Sequence, residues 1–181
     1  MVKKWETKSE KSLLNAKVFK YSQVERTSQD SGKTGLFDVL ECYEWVNIVA
    51  LTPENEVVMV EQYRQGTDKI TLEIPGGVGH PGEPIEDGAK RELEEETGYQ
   101  SKEWLKLGQV DANPAFMTNS CATYLALNCQ KVSEQDLDPF EEIDVKLVPL
   151  ADIPNLIREG KITHSLVVAA FHLYELFTSS S

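Results

Sequence analysis

The sequence is poor in cysteine and in long apolar runs, and each shortage argues against a class of protein. Its three cysteines, Cys42, Cys121 and Cys129, have neither the even number of a disulfide framework nor the spacing of a metal site. No run approaches the ~18 apolar residues of a membrane span. The first residues, MVKKWETKSEK, lack the apolar stretch of a secretory signal. We therefore expect a cytoplasmic protein with reduced thiols and no membrane partner.

Basic side chains are also scarce, because 18 lysines and arginines face 30 acidic residues and give a formal net charge of −12. Nucleic acids and anionic membranes bind basic surfaces, so this balance argues against both as partners. The length of 181 residues and the hydrophobic content of 40% fit one globular domain with its own core. An acidic protein that binds a phosphate compound needs a cation, and bound Mg²⁺ would reverse the local charge.

The most informative stretch is residues 77–99, GVGHPGEPIEDGAKRELEEETGY. It predicts a glycine loop followed by a short helix that ends at Gly98 in the left-handed conformation. At 100° per residue, Glu92, Glu95 and Glu96 fall on one arc of about 100°. Carboxylates packed in this way repel each other unless they bind a hard divalent cation, which prefers carboxylate oxygens. For the three glutamates alone, a solvated acidic helix face is the alternative.

Two further features of this helix can be predicted from spacing. Ile85, Ala89 and Leu93 recur at every fourth position and form a stripe that would be buried. Arg91 lies one turn before Glu95 and can pair with it, which would fix the orientation of that carboxylate.

The full spacing, G-x5-E-x7-R-E-U-x-E-E-x-G-U with U apolar, is the Nudix box, and the chain is identified as a member of the Nudix family. Only the last position departs from the pattern, since Tyr99 replaces an aliphatic residue. The resemblance implies an α/β fold, in which a mixed sheet is sandwiched between helices. It also implies a metal site with two or three Mg²⁺, or Mn²⁺, held by carboxylates and one backbone carbonyl. The expected ligands are Gly76, Glu92, Glu95 and Glu96.

The rest of the chain alternates strand-like and helix-like segments. Strand patterns occupy residues 13–24, 36–43, 45–52, 57–64, 104–110, 122–128 and 145–148, and helical patterns occupy 152–159 and 163–177. In the ADP-ribose pyrophosphatase branch of the family, an N-terminal extension forms a small antiparallel sheet that helps build a dimer. By that resemblance, residues 1–42 form a dimer-building β extension and residues 43–181 the catalytic domain. An edge hairpin on a monomer is the alternative, and serines 179–181 are predicted to fray.

Segments outside the box resemble ADP-ribose and nucleoside-diphosphate-sugar pyrophosphatases, namely EQYR, residues 61–64, and LEIPGG before the box. The resemblance implies that Arg64 contacts the substrate phosphates, for which a guanidinium fork is suited, and that Glu73 binds a polar group on the nucleoside side. Pro114 would border the substrate, and Phe116 could stack on a base or flank a ribose. The alternatives are a strand-end charge for Arg64 and an ordinary turn for Pro114.

An acidic stretch, residues 138–145 with the sequence DPFEEIDV, precedes the last predicted strand. In related enzymes an acidic loop at this place closes over the metals and supplies a catalytic carboxylate. Glu141 is the first choice for that role and Glu142 the second, and an ordinary acidic loop is the alternative. His164 and His172 are expected to be structural.

Together these features predict metal-dependent hydrolysis of the diphosphate linkage of ADP-ribose or a nucleoside diphosphate sugar, which gives a nucleoside monophosphate and a sugar phosphate. Arg91, Glu95, Glu96 and a carboxylate of the acidic loop are the predicted catalytic residues. One alternative is a Nudix hydrolase of another nucleotide, such as a nucleoside triphosphate, a dinucleotide or coenzyme A. The other is a non-catalytic Nudix domain that binds ADP-ribose.

Overall fold

The computed structural model describes residues 1–179 and divides the chain into two compact units. The first unit comprises Met1–Tyr43 and Asp111–Ser120, and the second comprises Glu44–Val110 and Cys121–Ser181. Of the serine tail predicted to fray, Ser179 belongs to the last helix, and residues 180–181 lie outside the described part of the chain.

The first unit contains a three-stranded antiparallel sheet with the order β1-β2-β3. Its strands are β1 (Glu6–Asn15), β2 (Phe19–Thr27) and β3 (Thr34–Cys42). The chain reverses at residues 16–18, inside the stretch where the sequence predicted one continuous alternation, and Ala16 N donates to Phe19 O at the turn. The small antiparallel sheet predicted for the N-terminal segment is thus present.

Up to Ser179, the second unit contains eight strands, three α-helices and a short 3-10 helix, Leu150–Asp152. The strands are β4 (Trp45–Ala50), β5 (Glu56–Arg64), β6 (Lys69–Glu73), β7 (Tyr99–Gln100), β8 (Glu103–Asp111), β9 (Ser120–Leu127), β10 (Gln130–Lys131) and β11 (Ile143–Pro149). The helices are α1 (Ile85–Thr97), α2 (Ile153–Arg158) and α3 (Ser165–Ser179). The strand orders are β11-β5-β6, β4-β9-β8 and β10-β7. Strand β4 runs parallel to β9, whereas β5 runs antiparallel to both of its neighbours, so the sheets are mixed.

Strand β4 shows how the core of the second unit is built, because successive side chains of a strand point to opposite faces. Val46, Ile48 and Ala50 pack with Ala89 and Leu93 of α1. The intervening Val49 lies on the other face, in a cluster to which α2 and α3 also contribute. Both faces are therefore covered by helices, and every residue of the strand except Asn47 is apolar. None of the helices formed by residues 1–179 is long and apolar enough to cross a membrane.

Candidate active site

Helix α1 is fixed by its apolar side, as the sequence predicted. Ala89 and Leu93 are fully buried, and Ile85 packs against the same cluster. The helix starts after Pro84 and ends at Gly98, whose φ of 73° is the left-handed conformation that glycine adopts without a steric penalty. Because the apolar stripe faces β4, the glutamates of the C-terminal half occupy the adjoining side of the helix.

Arg91 lies at the centre of a carboxylate network on α1. Its Nη1 donates to Glu95 Oε2 at 2.7 Å and to Glu92 Oε1 at 2.9 Å, so the predicted pair with Glu95 is present. Its Nε donates to Glu83 Oε1 at 3.1 Å and its Nη2 to Glu83 Oε2 at 3.3 Å. Burial would lower the pKa of Arg91, but its hydrogen bonds to these carboxylates raise the pKa above the ordinary value. Glu83 received no role from the sequence, although its fixed place in the box was a signal for one.

Two carboxylates of α1, the buried Glu96 and the half-buried Glu92, lie beside the glycines that precede the helix. Glu96 is 4% exposed and accepts a hydrogen bond of 2.9 Å from Gly76 N. Burial raises the pKa of Glu96 to about 8, and the charges of Glu92 and Glu141 contribute in the same direction. The pKa of Glu92 is also raised, mainly by burial. The Glu92 carboxylate lies so close to Gly77 that a Cβ at this position would approach its carbon atom to 2.5 Å, so a larger residue there would displace the Glu92 side chain.

The three predicted carboxylate ligands lie on α1 but are not gathered around a common point. Within residues 1–179, no group of three or more histidine, cysteine, aspartate or glutamate side chains is arranged to hold a metal ion. Hydrogen bonds account for this arrangement, since Arg91 engages Glu92 and Glu95 while Gly76 N engages Glu96.

Arg64, at the end of β5, forms a bidentate pair with Glu73 at the end of the neighbouring strand β6. Nε and Nη2 of the guanidinium donate to the two carboxylate oxygens at 2.9 and 2.7 Å. Thr71 Oγ1 donates to the same carboxylate at 2.6 Å, and His164 Nδ1 lies 3.2 Å from it. Burial would raise the pKa of Glu73, but Arg64, His164 and Thr71 outweigh burial and hold the pKa far below its ordinary value. His164, expected to be structural, is thus a neighbour of this pair.

The acidic loop follows β10 and leads into β11. Glu141 N donates to Asp138 O at 2.9 Å, and Asp138 N donates to Glu141 Oε2 at 3.2 Å, so the loop contains a closed turn. The charge of Glu141 contributes to the raised pKa values of Glu92 and Glu96, and to that of Arg64. Glu142 lies beside it and is exposed. Glu141 is therefore within electrostatic reach of both the buried carboxylates and the arginine.

Two of the predicted substrate-binding residues belong to the first unit. Pro114 and Phe116 lie in the loop of residues 111–120, where Phe116 O accepts a hydrogen bond of 2.7 Å from Leu40 N and the ring is 43% exposed. The other predicted site residues all lie in the second unit. Their positions are Arg64, Glu73, Gly76, Arg91, Glu92, Glu95, Glu96, Glu141 and Glu142.

Comparison with known proteins identifies this arrangement. The family model described as "NUDIX domain" matches residues 45–171, which is more than half of the chain. The chain belongs to the Nudix family. The "Methanol dehydrogenase activator" of Bacillus methanolicus is 33% identical to it over 155 residues, which cover 85% of this chain and 84% of that protein. The "ADP-ribose pyrophosphatase" of Bacillus subtilis (strain 168) is 28% identical over 172 residues, which cover 92% of this chain and 93% of that protein.

A solved structure supports the fold assignment of this Nudix protein. The crystal structure of an "ADP compounds hydrolase" matches with a TM-score of 0.86 over 99% of this chain and 97% of that chain, at 19% identity. The likeness confirms the predicted Nudix-type α/β fold with a mixed sheet. The family match and the pyrophosphatase relatives show that the protein is an enzyme, a Nudix hydrolase.

Nudix hydrolases generally use divalent metal ions, and the side chains of α1 fit such a group chemically. All of the candidate ligands are oxygen donors, which hard divalent cations prefer. Glu96 is buried and Glu92 is half-buried, and burial raises the pKa of both carboxylates, so an isolated negative charge is unfavourable there. A divalent cation would compensate both charges at once.

Proposed function

We propose that this Nudix hydrolase cleaves the diphosphate linkage of ADP-ribose or a related nucleoside diphosphate sugar, with release of a nucleoside monophosphate and a sugar phosphate. The observation that carries the proposal is that Arg64 lies within electrostatic reach of Glu96 and Glu141. The negative charges of these two carboxylates favour the charged form of Arg64, and the guanidinium counteracts the raised pKa of Glu96. A diphosphate needs both cationic donors and metal-binding carboxylates. The named activity of the B. subtilis relative, which this chain matches over 93% of its length, supports this substrate class.

The metal site is assigned to Glu92, Glu95 and Glu96 together with the carbonyl oxygen of Gly76. These groups would hold two or three Mg²⁺, with Mn²⁺ as the second candidate. When bound, the ions would neutralise the diphosphate and lower the pKa of a water molecule. Arg91 would orient Glu92 and Glu95, since its Nη1 already donates to both.

In the proposed reaction, water forms a new bond to one phosphorus atom and the bond from that phosphorus to the bridging oxygen breaks. Glu141 would accept the proton of the water, with Glu142 as the second candidate. Arg64 would donate to a phosphate oxygen through the part of its guanidinium that Glu73 leaves open. Glu73 would orient Arg64, because both of its oxygens accept hydrogen bonds within the protein, and its contact with a polar group on the nucleoside side remains a prediction.

Contacts of Pro114 and Phe116 with the substrate remain predictions, as does the cytoplasmic location. We also propose a homodimer built through the first unit. Its strand β1 is exposed along all ten residues, and the exposed side chains of the sheet include Leu13, Leu14 and Leu36. A long exposed edge strand with apolar side chains readily pairs with another chain.

The proposal is tested by product analysis in the presence of Mg²⁺ with ADP-ribose, GDP-mannose, UDP-glucose, coenzyme A, diadenosine polyphosphates and ATP. Release of a nucleoside monophosphate from ADP-ribose or from the nucleotide sugars alone is the expected result. Turnover of a different compound in the panel would be consistent with a Nudix hydrolase but would refute the proposed substrate class. Tight ADP-ribose binding without any turnover would instead indicate a binding domain. A Glu96→Gln preparation purified in parallel controls for contaminating hydrolases.

A further inference from the structure

The C-terminal end of α1 is capped by a segment that begins 34 residues after Gly98 in the sequence. We refer to residues 132–136 as the capping segment. Its backbone N–H groups donate to the carbonyl oxygen of Glu95 at 2.9 Å and to that of Gly98 at 2.8 and 3.2 Å. The last carbonyls of a helix have no partner within the helix, and α1 has no basic residue in its last turn. The capping segment therefore supplies donors at the end of the helix that carries the site carboxylates.

Gln135 supplies the only side-chain donor among these contacts within residues 1–179. Its Nε2 donates to Glu96 O at 2.6 Å and to Ile143 O at 3.1 Å. Glu96 lies in the last turn of α1, and Ile143 is the first residue of β11. One amide group thus joins the end of the carboxylate helix to the beginning of a strand.

The chain between Gln135 and Ile143 is the acidic loop, residues 136–142. Gln135 fixes both of its ends, because it precedes the loop directly and its side chain reaches the carbonyl that follows the loop. Glu141 lies within this short span, and its charge acts on both Glu92 and Glu96. Because both ends of the loop are held near the last turn of α1, few loop conformations would place Glu141 away from α1.

We propose that Gln135 is a positioning residue that holds the acidic loop, and with it Glu141, against the C-terminal turn of α1. Gln135 does not touch the substrate, and it acts on turnover through the place of Glu141. The inference rests on the proposed function, in which Glu141 accepts the proton of the attacking water. Because Gln135 itself is exposed, its replacement leaves the apolar core intact.

The first test compares Gln135→Ala and Gln135→Glu, of which the second keeps the shape of the side chain and removes its N–H donors. Gln130→Ala, at an exposed glutamine of β10, is the matched control. With ADP-ribose and Mg²⁺, both Gln135 variants are expected to lose about 10- to 100-fold in kcat with KM within about twofold, as for other residues that orient a catalytic group. A loss of kcat in Gln130→Ala of the same size, or unchanged kcat in both Gln135 variants, would overturn the proposal.

A double-mutant cycle shows whether Gln135 acts through Glu141. If it does, Gln135→Ala has no further effect on kcat in a Glu141→Gln background. If the double variant instead shows the product of the two single losses of kcat, Gln135 acts independently of Glu141 and the proposal is refuted.

Hydrogen exchange of residues 136–142, measured on the full chain without substrate, separates this inference from the proposed function. Faster exchange in Gln135→Ala than in Gln130→Ala is expected, and equal exchange contradicts the anchoring of the loop. Faster exchange together with wild-type kcat in Glu141→Gln would leave the anchor standing and refute the catalytic part assigned to Glu141.

Discussion

Glu73 is buried and yet ionised, because Arg64, Thr71 and His164 surround its carboxylate. Replacement by glutamine removes the charge and leaves the arginine without its bidentate partner. We expect Glu73→Gln to lower the free energy of unfolding by about 2–3 kcal/mol at pH 7, less than for a fully buried pair because Arg64 is 43% exposed. Urea unfolding measures the difference. Glu86→Gln, which breaks the exposed pair with Lys90, should cost about 0.5 kcal/mol or less.

The effect of Glu73→Gln should depend on pH in one direction. The pKa of Glu73 is lowered in the folded protein, so its contribution is complete above the ordinary carboxyl pKa of about 4.5 and is lost as the pH falls below that value. The difference in unfolding free energy between wild type and Glu73→Gln should therefore shrink between pH 7 and pH 3. If this difference in unfolding free energy stays constant from pH 7 to pH 3, the ionised form of Glu73 does not stabilise the folded protein.

The carboxylates of α1 allow a matched comparison along one helix. We expect Glu95→Gln and Glu96→Gln each to reduce kcat/KM by about 100-fold or more, because loss of a metal ligand costs several kcal/mol of transition-state stabilisation. Glu94→Gln, one position away and turned about 100° from Glu95, should retain activity within about threefold. Steady-state kinetics would measure kcat/KM of the three variants, and circular dichroism would check that each variant is folded. Retained activity in both site variants would refute the metal assignment.

At the residue scale, the sequence identified groups whose spacing is fixed by one element. Glu92, Glu95 and Glu96 could be placed together because a helix has a known period. The contact of Glu73 with Arg64 could not be predicted, because it depends on the register of two strands, of which β6 was not predicted. Gln135 could not be identified either, since a single glutamine in a loop belongs to no pattern.

The end of α1 is an element whose geometry depends on one glycine. Gly98 has a φ of 73°, and a Cβ at this position would overlap the carbonyl oxygen of Ser133 in the capping segment. Gly98→Ala is expected to destabilise the protein by about 3 kcal/mol or more, of which about 1–2 kcal/mol is left-handed strain. Gly160→Ala isolates the strain alone, because Gly160 has a φ of 70° and open space around the missing Cβ. Equal losses of unfolding free energy in the two variants would exclude the clash with Ser133.

Among the elements, length decided what could be predicted. Several repeats are needed to show a period of 2 or 3.6. The elements that coincide with predicted segments are β3, β4, β5, β8, β9, β11 and the helices α1, α2 and α3. Strands β7 and β10 have two residues each, which is too short to show any period. The hairpin between β1 and β2 was missed because its turn, residues 16–18, contains neither glycine nor proline.

At the scale of the whole molecule, the proposed dimer gives a direct test. The chain has a mass of 20.3 kDa, so sedimentation equilibrium should give twice this value. Leu14→Glu places a charge on the exposed strand β1, where the native side chain is 53% exposed, and should shift the mass toward that of one chain. Glu10→Gln on the same strand changes a charge without removing apolar surface and should leave the dimer intact. A mass of 20.3 kDa for the wild-type protein would disprove the dimer.

The overall fold could be predicted from the resemblance of residues 77–99 to the Nudix box. The order in which the sheets and helices pack on each other could be seen only in the structure. Residues 45–52 were predicted as a strand, but the pairing of β4 with β9 joins segments far apart in the sequence. Such pairing depends on the packing of α1 and α3 on opposite faces, which no local pattern expresses.

The capping segment has a consequence for the order in which a nascent chain can organise itself. Residues 132–136 leave the ribosome after α1 has been synthesised, so the newly made helix first emerges with its final carbonyls unsatisfied. Glu94, Glu95 and Glu96 then crowd the negative end of the helix, where carboxylates are unfavourable. The strands of residues 6–42 pair with one another, and only the end of β3 has later partners, in residues 116–118. Translation should therefore yield a formed N-terminal sheet well before the helix that bears the catalytic carboxylates is complete.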